Sequence, residues 1–274
     1  MPLGIFAKTF SGSIPLIVLG AVKAAGYEAA QFNMACAGLP AMPDEISSRT
    51  IETIHQAVTE TGIELVALSG TYNMIHPDKA VRDDGMRRLG VMLDAARQLS
   101  IPLVTLCTGT RDPHDQWAHH PDNARPEAWA DLLTEMEKAV ALAEAAGVDL
   151  GIEPEQANVV TSAADGRRLV EAIGSERIRF ALDPANLFEA ADRDTARTIV
   201  ARATELLAGR IAMAHAKDRN PDGSFATAGT GVVDFPDFLA RLKAVGFEGA
   251  VVTHGLSEDE APGVARYLRG LLPS

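Results

Sequence analysis

Short apolar runs alternate with amphipathic stretches along the whole chain. The apolar runs have the length of buried strands, whereas the stretches between them carry apolar residues at a spacing near that of a helix. The apolar runs predict eight strands, at 3–7, 28–34, 64–69, 102–107, 148–153, 178–183, 210–216 and 249–254. The amphipathic stretches predict helices at 14–22, 43–61, 79–99, 127–146, 162–173, 194–207, 234–245 and 258–272.

Glycines separate many of the predicted helices from the strands that follow them. They stand at Gly26, Gly62, Gly147, Gly174, Gly209 and Gly246, and a left-handed backbone just past a helix end favours glycine. Eight strands that alternate with helices predict a parallel sheet, and eight is the number that closes a (β/α)8 TIM barrel. We therefore expect an α/β protein with a single barrel domain over residues 1–274. An open doubly wound sheet is the alternative, but no GxGxxG motif follows the first strand.

Composition and charge narrow the classes of partner. The chain has 274 residues and a net charge of −12, without a Lys/Arg cluster, which disfavours a nucleic-acid partner. The apolar stretch 14–22 is too short to cross a bilayer and lacks the features of a signal peptide. Cys36 and Cys107 form no CxxC pair, so we expect buried, reduced thiols. These observations predict a cytoplasmic protein without a membrane partner.

Four residues that can bind a metal or carry a proton stand at the ends of predicted strands. They are Glu153, Asp183, His215 and His254. Side chains at the C-terminal ends of barrel strands converge on one mouth, where the active sites of such barrels lie. Two carboxylates and two imidazoles at that mouth predict a divalent-metal site with oxygen and nitrogen ligands.

Further polar residues follow the same strand ends, whereas the helix-to-strand connections are plain glycine turns. Lys217 follows His215, and the loop 108–126 has the length of a lid or binding loop. Candidate substrate contacts are Asn73, His76, Arg111, Trp117, Glu155 and Asn186. Structural alternatives exist for several of them, since Arg111 could pair with Asp112 or Asp115, and Lys217 with Asp218 or with a neighbouring carboxylate.

The segment AGTG at 228–231 is the one candidate for a phosphate-binding loop. Gly229 and Gly231 precede the last predicted strand, in the region where many barrels hold phosphate. No basic cluster accompanies them, and a tight turn before a helix explains the glycines equally well. A sugar phosphate and an unphosphorylated sugar therefore both stay open.

Several of these segments together resemble the xylose-isomerase-like TIM barrels. This superfamily contains sugar isomerases and epimerases and shares the AP endonuclease family 2 fold. The resemblance rests on the Glu after strand five, the Asp of DPAN at 183–186, the HAKD segment at 215–218 and the run 228–249. It covers nearly the whole chain, and it implies a small carbohydrate substrate and a homodimer or homotetramer.

The resemblance also implies one divalent ion, Mn²⁺, Co²⁺, Mg²⁺ or Zn²⁺, on Glu153, Asp183 and His215. The family ends its eighth strand in a Glu, whereas this chain has His254, which we expect to be the fourth ligand. Glu153 is then the expected base that removes a proton next to a carbonyl. His254 or Glu155 would act opposite it, with Lys217 beside them.

Sequence and resemblance together predict a metal-dependent isomerase or epimerase that acts on a sugar, a sugar phosphate or a related polyhydroxy carbonyl compound. A metal-dependent lyase, dehydratase or decarboxylase acting on a keto-sugar or sugar acid is the first alternative. An AP-endonuclease-like DNA repair enzyme, which needs additional zinc ligands and a basic groove, is less favoured. A sugar-binding barrel without catalysis is the remaining alternative.

Overall fold

A closed barrel of eight parallel strands forms the centre of the computed structural model, which describes residues 1–272. The barrel strands are β1 Leu3–Phe6, β2 Ala29–Phe32, β3 Glu64–Ser69, β4 Leu103–Leu106, β5 Asp149–Ile152, β6 Ile178–Leu182, β7 Ile211–Ala216 and β10 Ala250–Thr253; β8 (Asp218–Arg219) and β9 (Phe225–Ala226) form a separate hairpin. Neighbouring barrel strands pair in the order β1-β10-β7-β6-β5-β4-β3-β2, and β2 returns to β1. The predicted TIM barrel is confirmed.

Among the described residues, eight α-helices surround the barrel, one after each barrel strand. They are α1 Pro15–Ala24, α2 Ser48–Thr61, α3 Lys79–Gln98, α4 Pro126–Ala146, α5 Ala163–Ile173, α6 Arg193–Leu206, α7 Phe235–Ala244 and α8 Ala261–Arg269. The helix predicted at 43–61 begins later, because the Ser47 side chain caps it by accepting a hydrogen bond from the Thr50 amide. The helix predicted at 258–272 is shorter at both ends. The glycines predicted at helix ends all have positive φ, including Gly62 at 70° and Gly147 at 71°.

Side chains inside the barrel form an apolar layer below a polar layer. Leu103, Ala181, Met213 and Val252 belong to a core cluster separate from the larger one between barrel and helices. Alternate residues of a strand point to the same side, so the residue two positions later also points inward. Those later residues are Thr105, Asp183, His215 and His254. The alternation therefore places the predicted chemistry directly above the apolar floor.

A small hairpin after β7, absent from the predicted elements, pairs β8 (Asp218–Arg219) with β9 (Phe225–Ala226). Asp218 is completely buried, and both its carboxylate oxygens accept backbone hydrogen bonds. The amides of Gly229 and Gly231 donate to Oδ2 at 3.1 and 2.8 Å. Of the two explanations for these glycines, the structure favours the tight turn over the phosphate-binding loop, because a carboxylate of the chain itself already binds their amides.

Three buried asparagines hold the start of the long loop after β4. The consecutive amides of Gly109, Thr110 and Arg111 donate hydrogen bonds to the side-chain oxygens of three different asparagines. Those acceptors are Asn158, Asn73 and Asn123, at 2.6, 2.9 and 2.7 Å respectively. The loop is therefore anchored at its base, which gives the residues farther along it a defined position over the barrel mouth.

Two simpler expectations also have an outcome in the structure. Cys36 and Cys107 are both buried free thiols, and burial raises the pKa of Cys107 to about 12. That shift keeps the thiol protonated and unreactive near neutral pH. Among residues 1–272, no helix combines the length and the apolar character that a membrane crossing requires.

We expect Gly109→Ala to destabilise the protein more than Gly147→Ala. Both glycines have positive φ, 80° and 71°, so each alanine costs about 1–2 kcal/mol of backbone strain. At Gly109 the new methyl group would also collide with Asn73 Oδ1 and the Met74 amide, whereas Gly147 faces open space. The clash should add ~1–3 kcal/mol to the loss. Urea unfolding of both variants measures the difference, and equal losses would contradict the asparagine anchor.

Candidate active site

Glu153, Asp183 and His215 converge at the C-terminal end of the barrel. Glu153 follows β5, Asp183 follows β6, and His215 lies near the end of β7. His215 Nδ1 lies 3.7 Å from Glu153 Oε2 and 3.6 Å from Asp183 Oδ2. One possible ligand atom from each of the three residues lies within 4.8 Å of the others. The structure therefore brings together three of the four predicted metal ligands.

Two atoms of this cluster are buried without a hydrogen-bond partner among the described residues. They are Asp183 Oδ2 and His215 Nδ1. The other carboxylate oxygen of Asp183 accepts from the Ala185 amide at 2.9 Å, so it begins the short turn Pro184–Asn186. Buried polar atoms normally have partners, and two converging lone pairs left free are what a bound cation would satisfy. The donor set therefore fits a divalent metal ion.

Gln31 orients His215 from the opposite side of the barrel. Gln31 Oε1 lies 3.0 Å from His215 Nε2, and Gln31 Nε2 donates to Thr105 Oγ1 at 3.1 Å. Because an amide oxygen only accepts hydrogen bonds, Nε2 carries the proton of the imidazole. In the neutral ring the Nδ1 lone pair then faces Glu153 and Asp183, the orientation that a metal-binding histidine needs.

Buried charges set the protonation of the cluster without a metal. Burial opposes the charged form of His215, but Glu153 and Asp183 outweigh it and raise its pKa to about 9. Burial would raise the pKa of Asp183, yet Lys217 and His215 outweigh that effect and lower it to about 2. The pKa of Glu153 is also lowered, because His215 outweighs burial. At neutral pH the cluster therefore holds two carboxylates around one protonated imidazole.

Asn186 links the base candidate to the buried lysine. Its Nδ2 donates to Glu153 Oε1 at 2.6 Å, and its Oδ1 accepts from Lys217 Nζ at 3.0 Å. Lys217 is 7% exposed and its Nζ also lies 3.9 Å from Asp183 Oδ2. The predicted alternative partner, Asp218, instead binds backbone amides. Asn186 is thus held with its amide oxygen toward the Lys217 ammonium group and its amide nitrogen toward the Glu153 carboxylate.

His254 stacks on His215 rather than joining the three-residue cluster. The two rings are nearly parallel, 14° apart, with centroids separated by 5.2 Å. No His254 nitrogen belongs to the set of ligand atoms within 4.8 Å of one another. Burial and the charge of His215 lower the pKa of His254 to about 4. His254 therefore lies beside the three-residue cluster, with its own Nδ1 buried and unpartnered among the described residues, and its role as the fourth ligand stays a prediction.

A cavity of about 720 Å³ opens above the cluster. Glu153, Glu155, Trp117 and Lys217 line it, as do Asn186, His215 and His254. Glu155 lies two residues beyond Glu153, and burial together with the Glu153 charge raises its pKa to about 7. The cavity therefore combines the Glu153 carboxylate, the Glu155 carboxyl group with a pKa near neutral pH, the neutral His254 imidazole and the Lys217 ammonium group. Such a set of groups suits proton transfer to or from a polar substrate.

Three predicted substrate contacts lie outside this cavity and support loops instead. Asn73 accepts from the Thr110 amide, and His76 lies 3.2 Å from the Pro113 carbonyl oxygen through Nε2. Arg111 donates to Asp131 Oδ2 at 2.7 Å and to the Ile75 carbonyl oxygen at 3.0 Å. The polar atoms of all three are directed into neighbouring loops and helix α4, away from the cavity, and their role as substrate contacts stays a prediction. Arg111 does hold its loop, but its partner is Asp131 rather than Asp112 or Asp115.

Several cavity residues had no assigned role in the sequence. Gln31 was visible as a polar residue in a short apolar strand, but its partner lies 184 positions away. Arg219 and Phe225 line the cavity from the hairpin, whose two-residue strands have no periodicity to detect.

Within residues 1–272, Glu153, Asp183 and His215 form the one group of three or more His, Cys, Asp or Glu side chains that could hold a metal ion. The AP-endonuclease interpretation expected further ligands.

The fold also occurs in solved structures of sugar epimerases. The 3-keto-D-glucoside 4-epimerase of E. coli has 15% identity and a TM-score of 0.78, with 98% of this chain and 99% of that chain covered. The D-psicose 3-epimerase of Clostridium cellulolyticum H10 has 15% identity and a TM-score of 0.76 over the whole of both chains. An L-ribulose 3-epimerase has 20% identity and a TM-score of 0.76, covering 98% and 92%.

Sequence comparison supports the same relationship at the level of the family. No curated protein matches the chain. Residues 19–271, nearly the whole barrel with its helices, match the family described as xylose isomerase-like TIM barrel. The match includes β5, β6 and β7 together with Glu153, Asp183 and His215 at their C-terminal ends. The chain belongs to the xylose isomerase-like TIM barrel family.

Proposed function

We propose that this protein is a metal-dependent isomerase or epimerase that moves a proton next to the carbonyl of a sugar or related polyhydroxy compound. The observation that carries the proposal is the pair of buried, unpartnered atoms, Asp183 Oδ2 and His215 Nδ1, beside the Glu153 carboxylate. The names of three similarly folded proteins, each a sugar epimerase, agree with it.

Glu153, Asp183 and His215 would hold the ion in this proposal. A divalent ion there would polarise the substrate carbonyl and so lower the cost of removing the adjacent proton. Asp183 and His215 are 0% and 2% exposed, whereas the Glu153 side chain is 20% exposed. Glu153 is thus the most exposed member of the cluster toward a substrate in the cavity, and it acts as the base.

The proton then returns to the substrate. Glu153 can deliver it on the same face to the neighbouring, former carbonyl carbon, while the hydroxyl proton of the first carbon passes to the former carbonyl oxygen; this is the path of an isomerisation between neighbouring carbons. A proton delivered to the first carbon from another face would invert the stereocentre; the donor would be the Glu155 carboxyl, with its pKa of about 7, or His254 once it has taken up a proton from water. Lys217 and Asn186 stabilise the oxygen that becomes negative next to that carbon, through an ammonium and an amide donor.

A lyase or decarboxylase on a keto-sugar or sugar acid is the second candidate. It is favoured by an unsymmetrical pair of carboxyl groups, Glu153 with a lowered pKa and Glu155 with a pKa of about 7, since elimination needs one base and one acid. The two candidates differ in product mass. Isomerisation and epimerisation conserve the mass of the sugar, whereas elimination or decarboxylation releases water or CO₂.

Metal binding should release about one proton per chain at pH 7. His215, with a pKa of about 9, is protonated in the metal-free protein and must lose that proton for Nδ1 to bind an ion. Glu153 and Asp183 have lowered pKa values and release none. Calorimetric titration with Mn²⁺ in buffers of different ionisation enthalpy counts the protons.

A matched variant makes that count specific to His215. Glu155→Gln removes the neighbouring carboxyl with a pKa of about 7, which would otherwise add a fraction of a proton. In this variant the release should fall toward zero as pH rises above about 9, since His215 is then already neutral. Mn²⁺ binding at pH 7 without proton release would contradict His215 as a ligand.

Glu153→Gln should abolish proton exchange between sugar and solvent. The amide keeps the shape of the side chain but cannot accept the proton, and loss of a general base costs about 10²- to 10⁴-fold in rate. NMR in D₂O with Mn²⁺ follows loss of the C–H signals next to the carbonyl in D-fructose, D-psicose, D-tagatose and L-ribulose. The control is Glu171→Gln, at an exposed glutamate of α5 paired with Arg167. Exchange that is equally fast in the wild type and in Glu153→Gln would contradict the assignment of Glu153 as the base.

A further inference from the structure

The cavity above the three-residue cluster is larger than one sugar ring. Its volume is about 720 Å³. A hexose has about twelve non-hydrogen atoms. If each takes about half of the ~30 Å³ that a water molecule occupies in the liquid, the hexose fills roughly 200 Å³. Ligand pockets normally enclose most of the ligand surface with little space to spare. The space beyond the first ring is therefore large enough for a second ring.

Two exposed aromatic side chains line the outer part of this cavity. Trp117 is 51% exposed and comes from the loop after β4, and Phe225 is 55% exposed and comes from the hairpin after β7. The Trp117 indole makes no aromatic or cation–π contact with any described residue. Large apolar faces left in water next to a polar site commonly mark a place where a ligand binds.

Phe225 is held in place before any ligand arrives. Arg219 is its direct partner across the hairpin, with Cζ 4.4 Å from the ring centroid, and Lys217 Nζ lies 3.8 Å from the same centroid. Arg219 in turn donates to the carbonyl oxygens of Ala185 and Gly223, both at 2.9 Å. A ring fixed in this way loses little conformational entropy when a ligand stacks on it.

Trp117 also belongs to an anchored segment. Its amide donates to Asp115 Oδ1 at 2.9 Å, and the Ala118 carbonyl oxygen accepts from Thr110 Oγ1 at 2.8 Å. Thr110 lies in the stretch that the buried asparagines hold. The position of Trp117 over the cavity is therefore set by the loop itself.

We propose that Trp117 and Phe225 form a subsite for a second sugar ring, so that the substrate is a glycoside or disaccharide rather than a free monosaccharide. The first ring lies over Glu153, and this part rests on the proposed function. The C–H faces of a sugar ring are apolar and stack on aromatic side chains, while its hydroxyl groups stay in the water at the cavity mouth.

The test compares D-fructose with ketoses that carry the same unit plus a second ring. Maltulose, lactulose and isomaltulose are the probes, and calorimetry with Mn²⁺-loaded protein measures their dissociation constants. At least one of them should bind about tenfold or more tightly than D-fructose. Trp117→Ala and Phe225→Leu should each lower this preference about three- to tenfold. Leucine keeps apolar cover over Lys217, so the second variant removes the aromatic face alone.

Trp129→Phe is the matched control, since Trp129 lies on α4 under Arg168, at 3.8 Å, and does not line the cavity. It should keep the preference of the wild type. Three results overturn the proposal: glycosyl-ketoses that bind no more tightly than D-fructose, an unchanged preference in both aromatic variants, or no binding of any of the four sugars.

Failure of this proposal differs from failure of the proposed function. Proton exchange on ketoses with no preference for a second ring would leave the isomerase or epimerase intact and remove the subsite. Preferential binding of glycosyl-ketoses, together with no exchange on any sugar, would leave the subsite and remove the proton transfer.

Discussion

The site depends first on the alternation of side chains along the barrel strands. On β6, β7 and β10 an apolar residue points into the barrel, and two residues later a polar one points into the mouth. Ala181 precedes Asp183, Met213 precedes His215 and Val252 precedes His254 by this spacing. A register slip of one residue would turn every one of these side chains toward the helices. The apolar layer and the polar layer above it therefore both result from the alternation of side chains along the strands.

Burial then makes the polar layer suited to binding a cation. Asp183 and His215 are removed from water, and their free atoms converge at a distance too long for a hydrogen bond between them. A proton on His215 balances the two carboxylates in the absence of metal, which is why its pKa is raised to about 9. Gln31 fixes the ring so that the same nitrogen can exchange its proton for an ion. Metal binding and protonation thus compete for one atom.

The eight strands, the helices between them and Glu153, Asp183 and His215 could be predicted, because strand ends and inward-facing positions follow directly from periodicity. The roles of Asn73, His76 and Arg111 could not, since a sequence does not show which way a loop side chain turns. Gln31 and His215 meet only when the barrel closes. His254 stands at the expected strand end, but its ring stacks on His215. A sequence does not determine a ring position to within a few ångströms.

The most direct test of the three-residue metal site counts the imidazoles bound to the ion. Pulsed EPR of Mn²⁺, added below one equivalent to protein with ¹⁵N-labelled histidine, detects each nitrogen that coordinates. The structure predicts one coupled nitrogen, retained in His254→Ala and lost in His215→Ala. Two coupled nitrogens in the wild type, falling to one in His254→Ala, would contradict the account, and so would a failure to bind Mn²⁺ at all.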